Sequence, residues 1–190
     1  MKSIARLNIL LSPEQLKAME GVLHKRELTL ESFNLLRKDY ARVKSKVKKI
    51  EKKLLVLIEE EGSDSFFCRF LEYEIAHIEN KYKAIEQAIS RYNATMKSFN
   101  DFIASPTFLS FNRQNDGNYS LNHLNNYLNT ATTYINDASN AIRITGRYFK
   151  NIADMQKSHA KLQEAIKQRK RREWQNETNS TQGPVPPAQV

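Results

Sequence analysis

Eleven residues, Cys68, Leu71, Ile75, Ile78, Tyr82, Ile85, Ile89, Tyr92, Met96, Phe99 and Ile103, recur in unbroken alternating steps of three and four. An α-helix places such a series on one stripe, whereas a strand, with its period of two, scatters it over both faces. A stripe sustained this long is the seam of a coiled coil, so the middle of the chain is expected to be one long helix lying against another. Ser105-Pro106 closes it, because the residue before a proline disfavours helical backbone.

The flanking segments repeat the pattern. Ser12-Pro13-Glu14-Gln15 is a helix start, with Ser12 as N-cap, Pro13 at the first helical position and Gln15 completing a capping box. Met19, Val22, Phe33, Leu36, Tyr40, Val43, Val47, Ile50, Leu54 and Leu57 then follow a seam that Arg26 and Thr29 interrupt. A kink or break near Glu27 to Thr29 is the expected consequence, with Thr29 available as a second N-cap. Glu61-Gly62-Ser63-Asp64-Ser65 supplies a glycine to end one helix and a cap for the next. A long, Asn-rich loop from Pro106 to Tyr119, with room for a helical turn around Phe108 to Phe111, leads to a third helix. That helix has its seam at Leu121, Leu124, Leu128, Ala131, Ile135, Ala138, Ile142, Thr145, Phe149 and Ile152. A second stripe beside it, Tyr127, Tyr134, Ala141, Tyr148, Met155 and Leu162, widens its apolar face to serve two neighbours.

The fold class expected is therefore all-α: an elongated, antiparallel three-helix bundle, a coiled coil of long helices at about 13–60, 65–104 and 120–174. Residues 1–11 are read as an N-terminal extension and 175–190, containing Pro, Gln and Thr, as a disordered tail. The register is testable. Pivoting about Gly62-Ser63 brings Leu54 level with Leu71, Ile50 with Ile75, Val47 with Ile78 and Leu36 with Ile89. Pivoting about Arg113-Gln114 brings Phe99 level with Leu128, Met96 with Ala131 and Ile89 with Ala138, so that large residues meet small ones.

Composition narrows the function classes. Five glycines and five prolines in 190 residues, three of the prolines within the last seven, leave the body of the chain without the residues that shape β-turns. Cys68 is the sole cysteine, which excludes an internal disulfide. The apolar residues of the first segment are interrupted by Arg6 and Asn8, unlike a signal peptide, and no apolar run is long enough to span a bilayer. A cytoplasmic location is expected, with a place at the periphery of a membrane as the variant. His24, His77, His123 and His159 show no metal-ligand spacing, with one another or with Cys68, and no glycine-rich phosphate loop occurs. The register sets His159 level with Cys68, but nothing supplies an oxyanion hole or a third orienting group. No catalytic residue, metal or cofactor is expected, and no small-molecule substrate.

Three surface features carry the functional reading. The first is a basic patch for anions or lipid headgroups, formed by Lys38, Arg42, Lys44, Lys48, Lys49, Lys52, Arg147, Lys150, Lys167, Arg169, Lys170, Arg171 and Arg172. Glu72, Glu74 and Glu79 are expected to neutralise part of it, and Arg37 with Glu86, Lys44 with Glu79 and Lys53 with Glu74 to attract one another across the hairpin. The second is an apolar surplus at the same end, Leu55, Val56, Ile58, Phe66, Phe67 and Phe70, which falls outside the two-helix seam and marks either a partner surface or, where the third helix covers it, part of a wider three-helix core. The third is a run of neutral polar residues on the third helix, including Asn122, Asn125, Asn126, Asn129, Thr132 and Thr133, which suits an amide-rich interface.

With a net charge of +9, these features point to a non-enzymatic interaction or scaffold protein that binds a protein partner, or itself as a homo-oligomer, through its helical faces and basic, apolar-fringed tip. The architecture resembles the membrane-curving crescent bundles of the BAR type, which implies binding of anionic membrane through the basic pole as the alternative. It is also similar to the basic coiled-coil stalks of secretion-system and rotary ATPases. Nucleic-acid binding ranks after these, since the aromatic residues are taken up by the seams.

Overall fold

The computed structural model describes residues 12–106, 108 and 117–181. Three helices account for almost all of them: α1 (Pro13–Glu61), α2 (Phe66–Ala104) and α3 (Gly117–Thr181). Among the described residues there is no strand. The three pack against one another as an all-α bundle, with α1 and α3 running parallel and α2 antiparallel between them in sequence.

The ends are made by the residues whose chemistry suits them. Ser12 Oγ accepts from the Gln15 backbone N–H at 3.2 Å, and Gln15 Oε1 accepts from the Ser12 N–H at 3.0 Å, closing the capping box. At the first turn Gly62 takes φ 83°, and its N–H donates to the Ile58 carbonyl at 3.0 Å. A residue with a Cβ rarely adopts that backbone, which is why glycine stands there. Ser65 then caps α2 by accepting from the Cys68 N–H at 3.1 Å. Ser105 ends α2, and its hydroxyl accepts from the N–H of Phe108, whose ring is buried against Phe99 and Leu124. The rest of the expected helical turn as far as Phe111 lies outside the described residues.

Two boundaries depart from the sequence reading. α1 is unbroken from Pro13 to Glu61, with no interruption at Glu27 to Thr29. Thr29 caps nothing: it is buried, and its hydroxyl donates to the Lys25 carbonyl one turn back at 2.8 Å, so a polar side chain enters the seam already satisfied. α3 continues to Thr181, beyond the end expected near Trp174. Residues 1–11 and 182–190 lie outside the described residues, so the extension and the last part of the tail do as well.

Side-chain size sets how closely the helices approach. The α2 and α3 backbones are in the most extensive close contact, α1 and α3 in less, and α1 and α2 in the least. Ala131, Ala138, Ala141 and Thr145 are buried on α3, and small side chains there let α2 come close. Between α1 and α2 large rings keep the backbones apart: Phe33 stacks on Tyr92 with centroids 3.7 Å apart, and Tyr40 on Tyr82 at 5.0 Å. The Phe33–Tyr92 contact continues the level pairing expected for the first hairpin by one step. The core forms three successive clusters: Met19, Val22, Phe99 and Leu124 at the far end, Leu36, Ile85 and Ile135 in the middle, and Leu71, Ile78 and Ile152 towards the α1–α2 turn.

Candidate partner-binding site at the basic end of the rod

The parallel packing of α1 and α3 decides where the basic residues stand. Lys25 Nζ donates to Asn129 Oδ1 at 2.7 Å near one end, and the Glu61 carboxylate meets His159 and Gln163 at the other. The C-terminal half of α1 therefore lies beside the C-terminal half of α3. All thirteen cations expected to form the basic patch are exposed, yet they divide among different surfaces. Lys44 and Lys48 border a groove between α1 and α2 together with Glu51, Glu79 and Tyr82. Lys49 faces the opposite way, into a groove between α1 and α3, where Lys46 and Lys53 accompany it above Ile50, Phe149 and Ile152. Lys49 and Lys53 also border a second, adjoining hollow with Lys52, Val56 and Leu57.

Lys46 and Lys53, part of the basic stretch of α1 from Arg37 to Lys53 but outside the thirteen residues of the expected patch, belong to it by position. Lys46, Lys49 and Lys53 fall at i, i+3 and i+7, one stripe of a helix, and this spacing was the available signal. A seam defined for two helices assigns Lys46 and Lys53 to its flanks; adding α3 on that side turns the flank into the rim of a groove. The ion pairs expected across the hairpin do not form among the described residues: Arg42 pairs with Asp39 on its own helix at 2.9 Å, and Arg169 with Glu173 at 2.7 Å. Exposed pairs contribute only about 0.2–1 kcal/mol, so their absence leaves the register intact.

The apolar surplus at the turn also divides. Leu55, Val56 and Phe66 are exposed, at 63%, 45% and 77%, as expected of a partner surface. Ile58 and Phe70 are half-buried, Phe70 against the core cluster nearest the turn. Phe67 is a core residue at 5% exposure, stacked on the His159 ring with centroids 4.1 Å apart, and so drops out of the candidate surface. The reason is again α3, which runs past the turn and covers the side of α2 where Phe67 stands. His159 uses its other edge to reach the Glu61 carboxylate, 3.1 Å from Nε2, tying α3 to the end of α1. Among the described residues no hydrogen bond joins it to the fully buried Cys68.

Two polar groups lie deeper than expected. Glu74 does not neutralise the basic face: it is buried, with one carboxylate oxygen accepting from Asn151 Nδ2 at 3.3 Å and the other without a partner among the described residues. The Tyr40 hydroxyl lies 2.6 Å from that of Tyr82 and 2.7 Å from Glu86, which occupies the carboxylate expected to attract Arg37. Burial first, and then the hydrogen bonds with Tyr82 and Glu86, push the Tyr40 phenol above its ordinary value and keep it protonated.

Beyond Gln163, α3 has no neighbouring helix among the described residues, because α1 has ended and α2 has not begun farther out. The run to Thr181 projects about 27 Å at 1.5 Å per residue. It carries Lys167, Arg169, Lys170, Arg171 and Arg172, with Ile166 and Trp174 exposed along the same run. The Asn- and Thr-rich face of α3 lies at the other end, mostly exposed, with Thr132 and Thr133 hydroxyls donating to carbonyls of their own helix.

Among the described residues no three His, Cys, Asp or Glu side chains converge on a common point, and no helix is long and apolar enough to cross a membrane. In comparisons with known proteins, the chain matches no family model, no curated protein and no solved structure.

Proposed function

We propose that this chain is a non-enzymatic interaction protein, a helical rod that binds a protein partner through its faces and through the basic, apolar-fringed end formed by the α1–α2 turn and α3. The observation that carries this reading is the coincidence, at one end, of exposed Leu55, Val56 and Phe66 with exposed lysines of α1 and the projecting basic part of α3. Large apolar side chains beside exposed lysines favour association, since the apolar area supplies affinity and the charge selects an acidic partner. Affinity capture with the wild-type chain and with a Leu55→Ser, Val56→Ser, Phe66→Ser variant tests it. All three positions are exposed, so the variant is expected to keep its helix content while losing a defined set of captured proteins. Identical captured sets would count against the proposal.

A second reading, binding to anionic membrane, draws on the same juxtaposition of Lys52 and Lys53 with Val56. Co-sedimentation with vesicles of phosphatidylserine and phosphatidylcholine separates the two. Binding that rises with phosphatidylserine and falls with salt would favour the membrane; indifference to both would leave the protein partner.

A further inference from the structure

The groove between α1 and α3 carries an inference that rests on the proposed function and sharpens it. Its floor is apolar, made by Ile50, Phe149 and Ile152, and continues into the hollow beside Val56 and Leu57. Its α1 rim is Lys46, Lys49, Lys52 and Lys53, and no carboxylate lines either hollow among the described residues. Within the same residues none of these four lysines belongs to an ion pair. Lys46 instead lies over the Phe149 ring, 5.4 Å from its centroid. Like charges at i, i+3 and i+4 repel and weaken a helix, and no ion pair among the described residues offsets that repulsion here.

We propose that this lysine-rimmed groove receives an acidic amphipathic helix of a partner protein, laid along α1 and α3 as a fourth helix. The groove follows α1 from Lys46 to Lys53, about two turns or roughly 11 Å at 1.5 Å per residue, and the adjoining hollow, lined by α1 alone, carries the apolar surface on to Leu57. An open channel between two parallel helices is the shape into which the apolar stripe of another helix fits. An acyl chain would keep one side wet there, because ligands of that kind need enclosure. Residues 1–11 carry Lys2 and Arg6 and no carboxylate, and residues 182–190 carry no charged side chain, so neither segment complements the lysines. A second copy would bring further positive charge, since the whole chain is at +9.

Fluorescence anisotropy on the full chain tests this with a labelled synthetic helix of about four turns, Leu along one stripe and Glu on its flanks, and with the same peptide carrying Lys for Glu. The acidic peptide is expected to bind, less tightly as salt rises, and the basic one not to bind. The combined Lys46→Glu, Lys49→Glu, Lys53→Glu variant should lower affinity by about tenfold or more. Ala153→Trp, which fills the groove from an exposed position and leaves the charges in place, should also abolish binding. Circular dichroism is expected to show both variants folded. Equal binding of the two peptides, or binding unaffected by either set of substitutions, would overturn the proposal. So would self-association of the free chain that Ala153→Trp removes, because the occupant would then be a second copy. If the acidic peptide fails to bind while the captured set still depends on Leu55, Val56 and Phe66, the groove assignment falls and the broader reading stands; if both fail, both fall.

Discussion

Tyr92 shows how one atom can work against an otherwise well-packed side chain. Its ring is stacked on Phe33, yet its hydroxyl is buried and without a hydrogen-bond partner among the described residues, so desolvation is uncompensated there and raises the phenol above its ordinary value. Tyr92→Phe keeps the stack and removes the orphan group, and is expected to leave thermal stability unchanged or raise it by up to about 1 kcal/mol. Phe99, fully buried among Met19, Leu124 and Leu128, is the opposite case: Phe99→Ala should cost about 3–5 kcal/mol in a denaturant titration. The phenols also set an alkaline limit. Tyr40 and Tyr92 titrate above the ordinary value of 10.0 when folded and near it when unfolded, so the folded state holds these protons more tightly. Their contribution is complete below pH 10.0 and declines as pH rises beyond it, because the unfolded chain releases its protons first. Stability curves taken on either side of that pH should fall, and Tyr40→Phe should flatten the fall. At this scale the sequence was only partly readable. The roles of Ser12, Gln15, Gly62 and Ser65 follow from local chemistry, whereas the burial of Glu74 and Phe67 depends on how α3 is rotated about its axis, which no local signal encodes.

At the scale of the helices, the heptad seams of α2 and α3 were legible because each step repeats a contact with a neighbour, and the repetition fixes period and direction together. Thr29 and Arg26 suggested a break in α1 that is absent: one polar residue can bond to its own helix, and the flanking turns carry it. The closeness of α2 and α3 rests on Ala138, fully buried in the middle cluster. Ala138→Leu should force the two backbones apart at a cost of about 1–3 kcal/mol, while Ser139→Leu, at the exposed position next to it, should be nearly neutral; paired melting curves check the difference. The projecting part of α3 is the counterpart. An isolated helix of this length is marginal in water, since most helical stability comes from packing. Hydrogen exchange should therefore show rapid exchange for amides beyond Gln163 and strong protection from Ala131 to Thr145, with protection of the outer segment rising only when a partner is bound.

For the molecule as a whole, every functional statement rests on one arrangement: α1 and α3 parallel, α2 returning between their ends, and α3 outrunning both on the side that carries the lysines. The basic face was visible in the sequence as an excess of one sign of charge along α1. Its division into an α2-facing and an α3-facing groove was not, because charge along a single helix says nothing of which neighbour lies on which flank. The rod itself is open to direct measurement by small-angle X-ray scattering coupled to light scattering. At 22.1 kDa, the mass of one chain, the account predicts a radius of gyration of about 28 Å for a rod set by the length of α3. A value near 16 Å at that mass, as expected for a compact domain of this length, would contradict it.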